Sequence, residues 1–275
     1  MTKARLSLLV VLTTLVGFVL ASREGIDGIL LLHTIVGSAL AAFGAAVFNQ
    51  VMEIEQDARM RRTADRPLPM GRIPPAVAFG IGWMLSALGV VHLGMMVNIN
   101  ACLAAAFTLV LYLFVYTPMK RRSSWNTVVG AVAGALPPLI GWFGAGGGYD
   151  LDALFLFLLL FFWQLPHFVA INWIYREDYE SAGFVMWSNA DVTGLRTARL
   201  ATAFSAMLSA SMILPWISGS VGGLTLGGIL LPSLYMVYLS VLLLLKPDRK
   251  AARRLFLYTL LYLPIVCGVL IIGWR

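Results

Sequence analysis

Residues 49–72 read NQVMEIEQDARMRRTADRPLPMGR and hold four of the chain's thirteen acidic residues and five of its twenty basic ones. The sequence on either side, 28–48 and 76–97, is apolar and carries no Asp, Glu, Lys or Arg. Runs of roughly twenty apolar residues mark helices that cross a bilayer, because a helix satisfies its own backbone hydrogen bonds where no water can. Further runs lie near 6–22, 100–117, 126–145, 153–174, 198–217, 222–245 and 255–273. The spacing predicts nine transmembrane helices in an all-α, polytopic membrane protein, with 1–275 forming one membrane domain.

Composition agrees. The chain is 60% hydrophobic and 12% charged, with mean hydropathy +0.85, whereas a soluble domain carries about 25% charged residues. The net charge of +7 does not point to nucleic acid, because the basic residues sit in short loops between apolar runs. With alternating loops, only Arg23 and Arg275 fall on the side opposite the other basic residues. The positive-inside rule then places the N-terminus in the cytoplasm and the C-terminus across the membrane, the cell's inner (cytoplasmic) membrane. The run at 6–21 lacks an A-x-A-like cleavage site and reads as a retained helix. Cys102 and Cys267 lie in apolar runs without CxxC spacing and read as small core residues. The GAGGG at 144–148 has no following Lys-Ser/Thr and reads as a flexible turn rather than a phosphate loop.

Asn49, Glu53 and Asp57 are spaced i, i+4, i+8. A second helix running past the membrane surface would stack the three on one face. Such oxygen donors suit Mg²⁺, which takes few carboxylates and completes its shell with water and phosphate oxygens; a salt-bridged, solvated helix end is the alternative. Glu55 lies off that face, toward Arg59 or Arg62. A second acidic segment, AINWIYREDYESAG, follows the sixth run with Asn172, Glu177, Asp178 and Glu180, hinting at an internal repeat. Two such clusters can bracket a diphosphate through metal ions. Between them, YTPMKRR (116–122) offers Lys120, Arg121 and Arg122 to phosphate or to anionic lipid. Asn126 opens the fifth helix, where Gly130, Gly134 and Pro137-Pro138 permit close approach or a kink. Gln164 and His167, in WQLPHF, flank Pro166 at membrane depth. Polar groups there face a partner or a cavity, so His167 reads as a ligand, a proton carrier or a structural residue. His33 and His92 have no such company and read as structural.

Taken together these segments resemble the UbiA superfamily of membrane prenyltransferases, and within it the heme O synthase (protoheme IX farnesyltransferase) branch. The resemblance runs from Thr2-Lys3 and LTTLVGFVLAS through Asn49…Glu53…Asp57, MRRTADRPLPMGRI, YTPMKRRSSWN and GALPPLIGW to FFWQLPHFVAINWIYREDYESAG. RTADRPL and WQLPHF carry the heme branch. The resemblance implies nine helices around a central cavity and transfer of a farnesyl group from farnesyl diphosphate to a vinyl group of heme b, giving heme O. It implies Mg²⁺ and diphosphate held by Asn49, Glu53, Asp57 and Asp178, with Arg62, Arg66, Lys120 and Arg121 steadying phosphate. Tyr116, Asn126, Gln164 and Asn172 join them as substrate-binding candidates, and His167 as a candidate for heme contact or proton handling. Membrane lipid and a downstream heme-O-oxidising enzyme are the implied partners. Position 53 is Glu where the family pattern has Asp, and Ala182 stands where a second acid would follow Asp178. Two other functions remain open. A quinone or other aromatic acceptor leaves WQLPHF unexplained, and a transporter would place its ionisable residues near mid-span.

Overall fold

The structure is a computed structural model that describes residues 4–60 and 63–275. Among the described residues eight helices are long and apolar enough to cross a membrane, and a shorter apolar helix, Ser7–Ala21, precedes them. These segments match the expected nine. Their outward faces carry large apolar side chains, Leu224 and Ile272 among the most exposed, which suits contact with lipid rather than water. Among the described residues the only extended pairing is one bridge, Val221 to Trp274. The chain divides into two compact units, Met1–Gly147 with Glu177–Val185, and Gly148–Arg176 with Met186–Arg275.

The first unit begins with α1 (Ala4–Ala21), α2 (Gly28–Met52) and the short α3 (Ile54–Arg59). It continues with α4 (Pro75–Met96) and α5 (Ile99–Val110), which passes through a π-helical turn, Leu111–Tyr116, into α6 (Thr117–Met119). The fifth span is broken into α7 (Asn126–Ala135) and α8 (Pro137–Gly144), as two prolines without backbone N–H groups require. At the break α1 comes close: its Thr14 hydroxyl is shared between the Val10 carbonyl of its own helix at 2.9 Å and the Pro137 carbonyl at 3.1 Å. A Cβ at Gly141 would collide with the Thr14 carbonyl, so only glycine admits α1 this close. Polar residues outside the charged island serve as helix caps: Asp27 accepts from the Ile29 and Leu30 amides, and Asn98 caps α5 by accepting from the Ala101 amide. The glycine-rich segment is a turn, with Gly146 at φ +87°.

The second unit holds α9 (Leu151–Ile174), α11 (Leu195–Ser211), the single turn α12 (Leu214–Ile217), α13 (Gly223–Leu245) and α14 (Arg249–Gly273); α10 (Arg176–Ser181) follows α9 and lies almost wholly in the first unit. Lipid offers no hydrophobic drive for helix association, so packing and interhelical hydrogen bonds must do it. Ser205 of α11 meets Ser240 of α13 at 2.9 Å, and Ser233 of α13 meets the Tyr262 hydroxyl of α14 at 2.7 Å. The buried Asp152 carboxylate accepts from Ser218 (2.6 Å) and Ser220 (2.5 Å). Cys102 and Cys267 are free.

Candidate active site

The charged island does not continue α2 as one uninterrupted helix. α2 stops at Met52, Glu53 adopts φ −116°, ψ 21°, and α3 restarts at Ile54. The backbone ladder nevertheless carries across the break. The Glu53 N–H donates to Asn49 O (3.1 Å), and the Asp57 N–H to Glu53 O (2.8 Å). The i, i+4, i+8 relation therefore survives, and Asn49, Glu53 and Asp57 are all at most 5% exposed, while Glu55 points out to solvent.

Burying carboxylates without counter-charges costs several kcal/mol each, and the chain supplies a cation to both. Lys120 Nζ lies 2.7 Å from Glu53 Oε1, and Arg66 Nη1 lies 2.5 Å from Asp57 Oδ2. Asn49 Oδ1 accepts from the Tyr112 hydroxyl at 2.9 Å. Thr63 closes the loop by donating its hydroxyl to the Asp57 carbonyl at 2.8 Å. Arg62, the other arginine expected here, lies outside the described residues, as do Thr2 and Lys3.

Lys120 joins this cluster to the second acidic segment. Its ammonium sits 4.5 Å from the centre of the Tyr116 ring and 5.8 Å from that of Phe184, close enough for cation–π attraction. Burial alone would lower the Lys120 pKa. Glu53, helped by the Tyr116 and Tyr112 phenols, outweighs it and raises the group above the ordinary lysine range. The Lys120 carbonyl accepts from the Val185 N–H at 2.7 Å. Asn126 donates its amide to Ser123 O (2.6 Å) and Val185 O (2.7 Å), so it latches the second acidic segment to the start of α7. In that segment Asp178 is half-buried, and Glu177 and Glu180 are exposed. Arg121 and Arg122 are exposed too. The π-helical turn places Tyr112 and Tyr116 side by side, ring centres 5.3 Å apart, and Tyr116 lies where a Cβ on Gly130 would be. Such π turns recur at functional sites.

The remaining candidates belong to the second unit. Gln164 is buried and donates to the Leu160 carbonyl one turn back at 2.8 Å. Asn172 is buried, its amide 3.7 Å from the Met186 sulfur. His167 is partly exposed, with Nδ1 2.8 Å from the Thr259 hydroxyl and its ring 4.8 Å from that of Phe256. Sequence reading missed the contacts of four residues. Tyr112 and Thr259 sit in apolar runs, and His33 and His92 meet Nδ1 to Nε2 at 3.2 Å across α2 and α4.

Two acidic segments stand at the ends of membrane-crossing helices, and in the first of them Glu53 and Asp57 are paired with cations of the same chain, a setting suited to an anion or a metal–anion pair. The UbiA prenyltransferase family profile matches residues 10–263, and the chain belongs to that family. A protoheme IX farnesyltransferase of Solibacter usitatus (strain Ellin6076) is 40% identical over 281 residues, covering 99% of this chain and 96% of the relative. A solved digeranylgeranylglyceryl phosphate synthase structure is 20% identical with TM-score 0.82 and 99% of both chains covered. A UbiA homologue from Archaeoglobus fulgidus bound to GPP and Mg²⁺ is 14% identical with TM-score 0.64, covering 96% of this chain and 97% of that one.

Proposed function

We propose that this chain transfers the farnesyl group of farnesyl diphosphate to a vinyl group of heme b, giving heme O, and acts as one functional unit in the cell's inner membrane with its N-terminus in the cytoplasm. The geometry that carries the reading is Lys120, a buried cation that holds Glu53 through its side chain and the second acidic segment through its backbone. The Solibacter relative's name supports the heme acceptor, and the Archaeoglobus homologue's ligands support a prenyl diphosphate with Mg²⁺.

The donor set fits Mg²⁺. Asn49, Glu53 and Asp57 offer hard oxygens on successive turns, with Asp178 on the second segment. Among the described residues no three His, Cys, Asp or Glu side chains converge as a complete metal cage. An incomplete protein shell is what Mg²⁺ takes when phosphate oxygens supply the rest. Bound there, the ion would neutralise the diphosphate as it leaves. The chain's own part is electrostatic and steric. Arg66 and Lys120 stand at the carboxylates as cations able to turn to phosphate oxygens; the family resemblance adds Arg62 and Arg121. Tyr116 walls Lys120 off from water. The C1–O bond of farnesyl diphosphate breaks with its electron pair leaving on the diphosphate. The vinyl π pair of heme b forms the new carbon–carbon bond, and water adds to the remaining cation with loss of a proton. His167 is the candidate acceptor for that proton or the candidate contact to heme, and Gln164, Asn172 and Asn126 remain candidates for substrate binding. The allylic cation calls for a dry, apolar surrounding that protects it from premature hydrolysis. Membrane lipid surrounds the protein, and a membrane enzyme that oxidises heme O would consume the product.

The test is direct. Membranes containing the protein are incubated with heme b, farnesyl diphosphate and Mg²⁺, and the extracted hemes are identified by mass. Heme O should appear with Mg²⁺ and vanish with chelator; no heme O beside an active control would overturn the reading.

A further inference from the structure

Thr259 is completely buried on α14 and is gripped twice from α9, by residues one turn apart. The Trp163 indole N–H donates to the Thr259 carbonyl at 2.8 Å, and His167 Nδ1 lies 2.8 Å from the Thr259 hydroxyl oxygen. The direction of the second bond is decided by a third. A threonine hydroxyl has one proton, and Thr259 donates its own to the Phe256 carbonyl at 2.6 Å. Toward His167 it can therefore only accept, so Nδ1 must carry a hydrogen. In a neutral imidazole the other nitrogen is then the acceptor.

We infer that Thr259 is a positioning residue that holds His167 in its Nδ1–H tautomer and leaves Nε2 as the ring's lone-pair atom, available to a heme iron or to a proton. The inference rests on the proposed heme acceptor for its function but not for its geometry. The Nδ1 edge faces a fully buried hydroxyl, so any ligand or proton must reach the ring at Nε2. The rings of Trp163 (5.9 Å) and Phe256 (4.8 Å) fix its plane. A partner that fixes the tautomer of a ligating histidine raises its affinity for metal about 10- to 100-fold.

The chain has three histidines, so ring ¹⁵N spectra of histidine-labelled protein in detergent, assigned with His33→Gln, His92→Gln and His167→Gln, report the tautomer without any ligand. His167 should show a protonated Nδ1 at neutral pH. Thr259→Val, nearly the same shape without the hydroxyl, should lose that preference, and Thr259→Ser should keep it. A protonated Nε2 in the wild type, or no change in Thr259→Val, overturns the inference. Titration with ferric heme b, read by the Soret band, is the functional arm. Thr259→Val should bind about tenfold more weakly with a shifted band, and Thr259→Ser should match the wild type; unchanged binding and spectrum in Thr259→Val also overturn it. If the wild type gave no heme complex, the proposed acceptor would fall, and the ¹⁵N spectra would still decide the tautomer.

Discussion

The two acidic segments share a backbone and differ in chemistry. Each long helix, α2 and α9, ends in one residue of nearly the same conformation, Glu53 at φ −116°, ψ 21° and Tyr175 at φ −112°, ψ 27°. Each break donates its N–H four residues back, to Asn49 O at 3.1 Å and Ile171 O at 3.0 Å, and each is followed by a six-residue helix. A buried asparagine stands shortly before both breaks, Asn49 and Asn172. The internal repeat suggested by the asparagines is therefore a repeat of helix, break and short helix. The charges are treated in opposite ways. Glu53 and Asp57 are buried and matched to Lys120 and Arg66, whereas Glu177 and Glu180 remain in solvent. One arm is thus held in a fixed geometry by its own cations, and the other presents charge without the cost of burying it.

The largest effect should come from breaking the buried pair on one side only. Lys120→Met leaves Glu53 buried without its cation, a loss of about 3–5 kcal/mol for pairs of this kind, read as a lower Tm in detergent. Replacing both partners, Glu53→Gln with Lys120→Met, should restore most of the stability because no lone charge remains, and should leave prenyl transfer abolished. A single variant as stable as the wild type would show that the pair is not structural. Alkaline pH should not mimic the variant. The Lys120 pKa is raised above its ordinary 10.5, so its contribution is complete below that value and is lost only as pH rises through the higher folded one.

Next in size is Asp57→Asn. It keeps the shape, removes the charge, and leaves Arg66, partly exposed, to water. The stability cost should be about 1–3 kcal/mol. Turnover should fall about 100-fold or more, as when one preorganised electrostatic group is removed from a reacting centre, with the protein still inserted in the membrane. Retained turnover would remove Asp57 from the site. Tyr112→Phe is smaller again. It deletes one hydrogen bond to Asn49 and should cost about 1 kcal/mol, with a lesser fall in turnover, and no change in either would mean that Asn49 is held without it.

The spans were legible because each apolar run is bounded by charge, proline or a capping residue, as at Asp27, Asn98 and Pro74-Pro75. The alignment of Asn49, Glu53 and Asp57 was legible because it depends only on helical period. The break at Glu53 was not, since neither glycine nor proline marks it. Lys120 was read as a cation for phosphate or anionic lipid, but its grip on Glu53 spans 67 residues and no local pattern encodes it. Tyr112 and Thr259 were hidden for another reason. Each lies in an apolar run where its ring or methyl group looks like packing, and only the fold shows where the hydroxyl goes. His33 and His92 were read as structural, but their contact with each other spans 59 residues and no local pattern encodes it.

The comparison predicts its smallest stability effect in the second arm. Asp178 is half-buried on a short helix whose other acids are exposed, so Asp178→Asn should change stability by no more than about 0.5 kcal/mol, the range of surface substitutions. If the exposed arm serves the diphosphate through a shared ion, the same variant should lower turnover about tenfold and raise the Mg²⁺ concentration needed for half activity. Glu177→Gln and Glu180→Gln, made singly, rank the three acids by that Mg²⁺ dependence. A shift in Mg²⁺ requirement at constant Tm is the signature of an arm built for ligand rather than for fold. An unchanged requirement in all three variants would leave the buried arm alone as the metal site, and the likeness between the two breaks would then be one of backbone only.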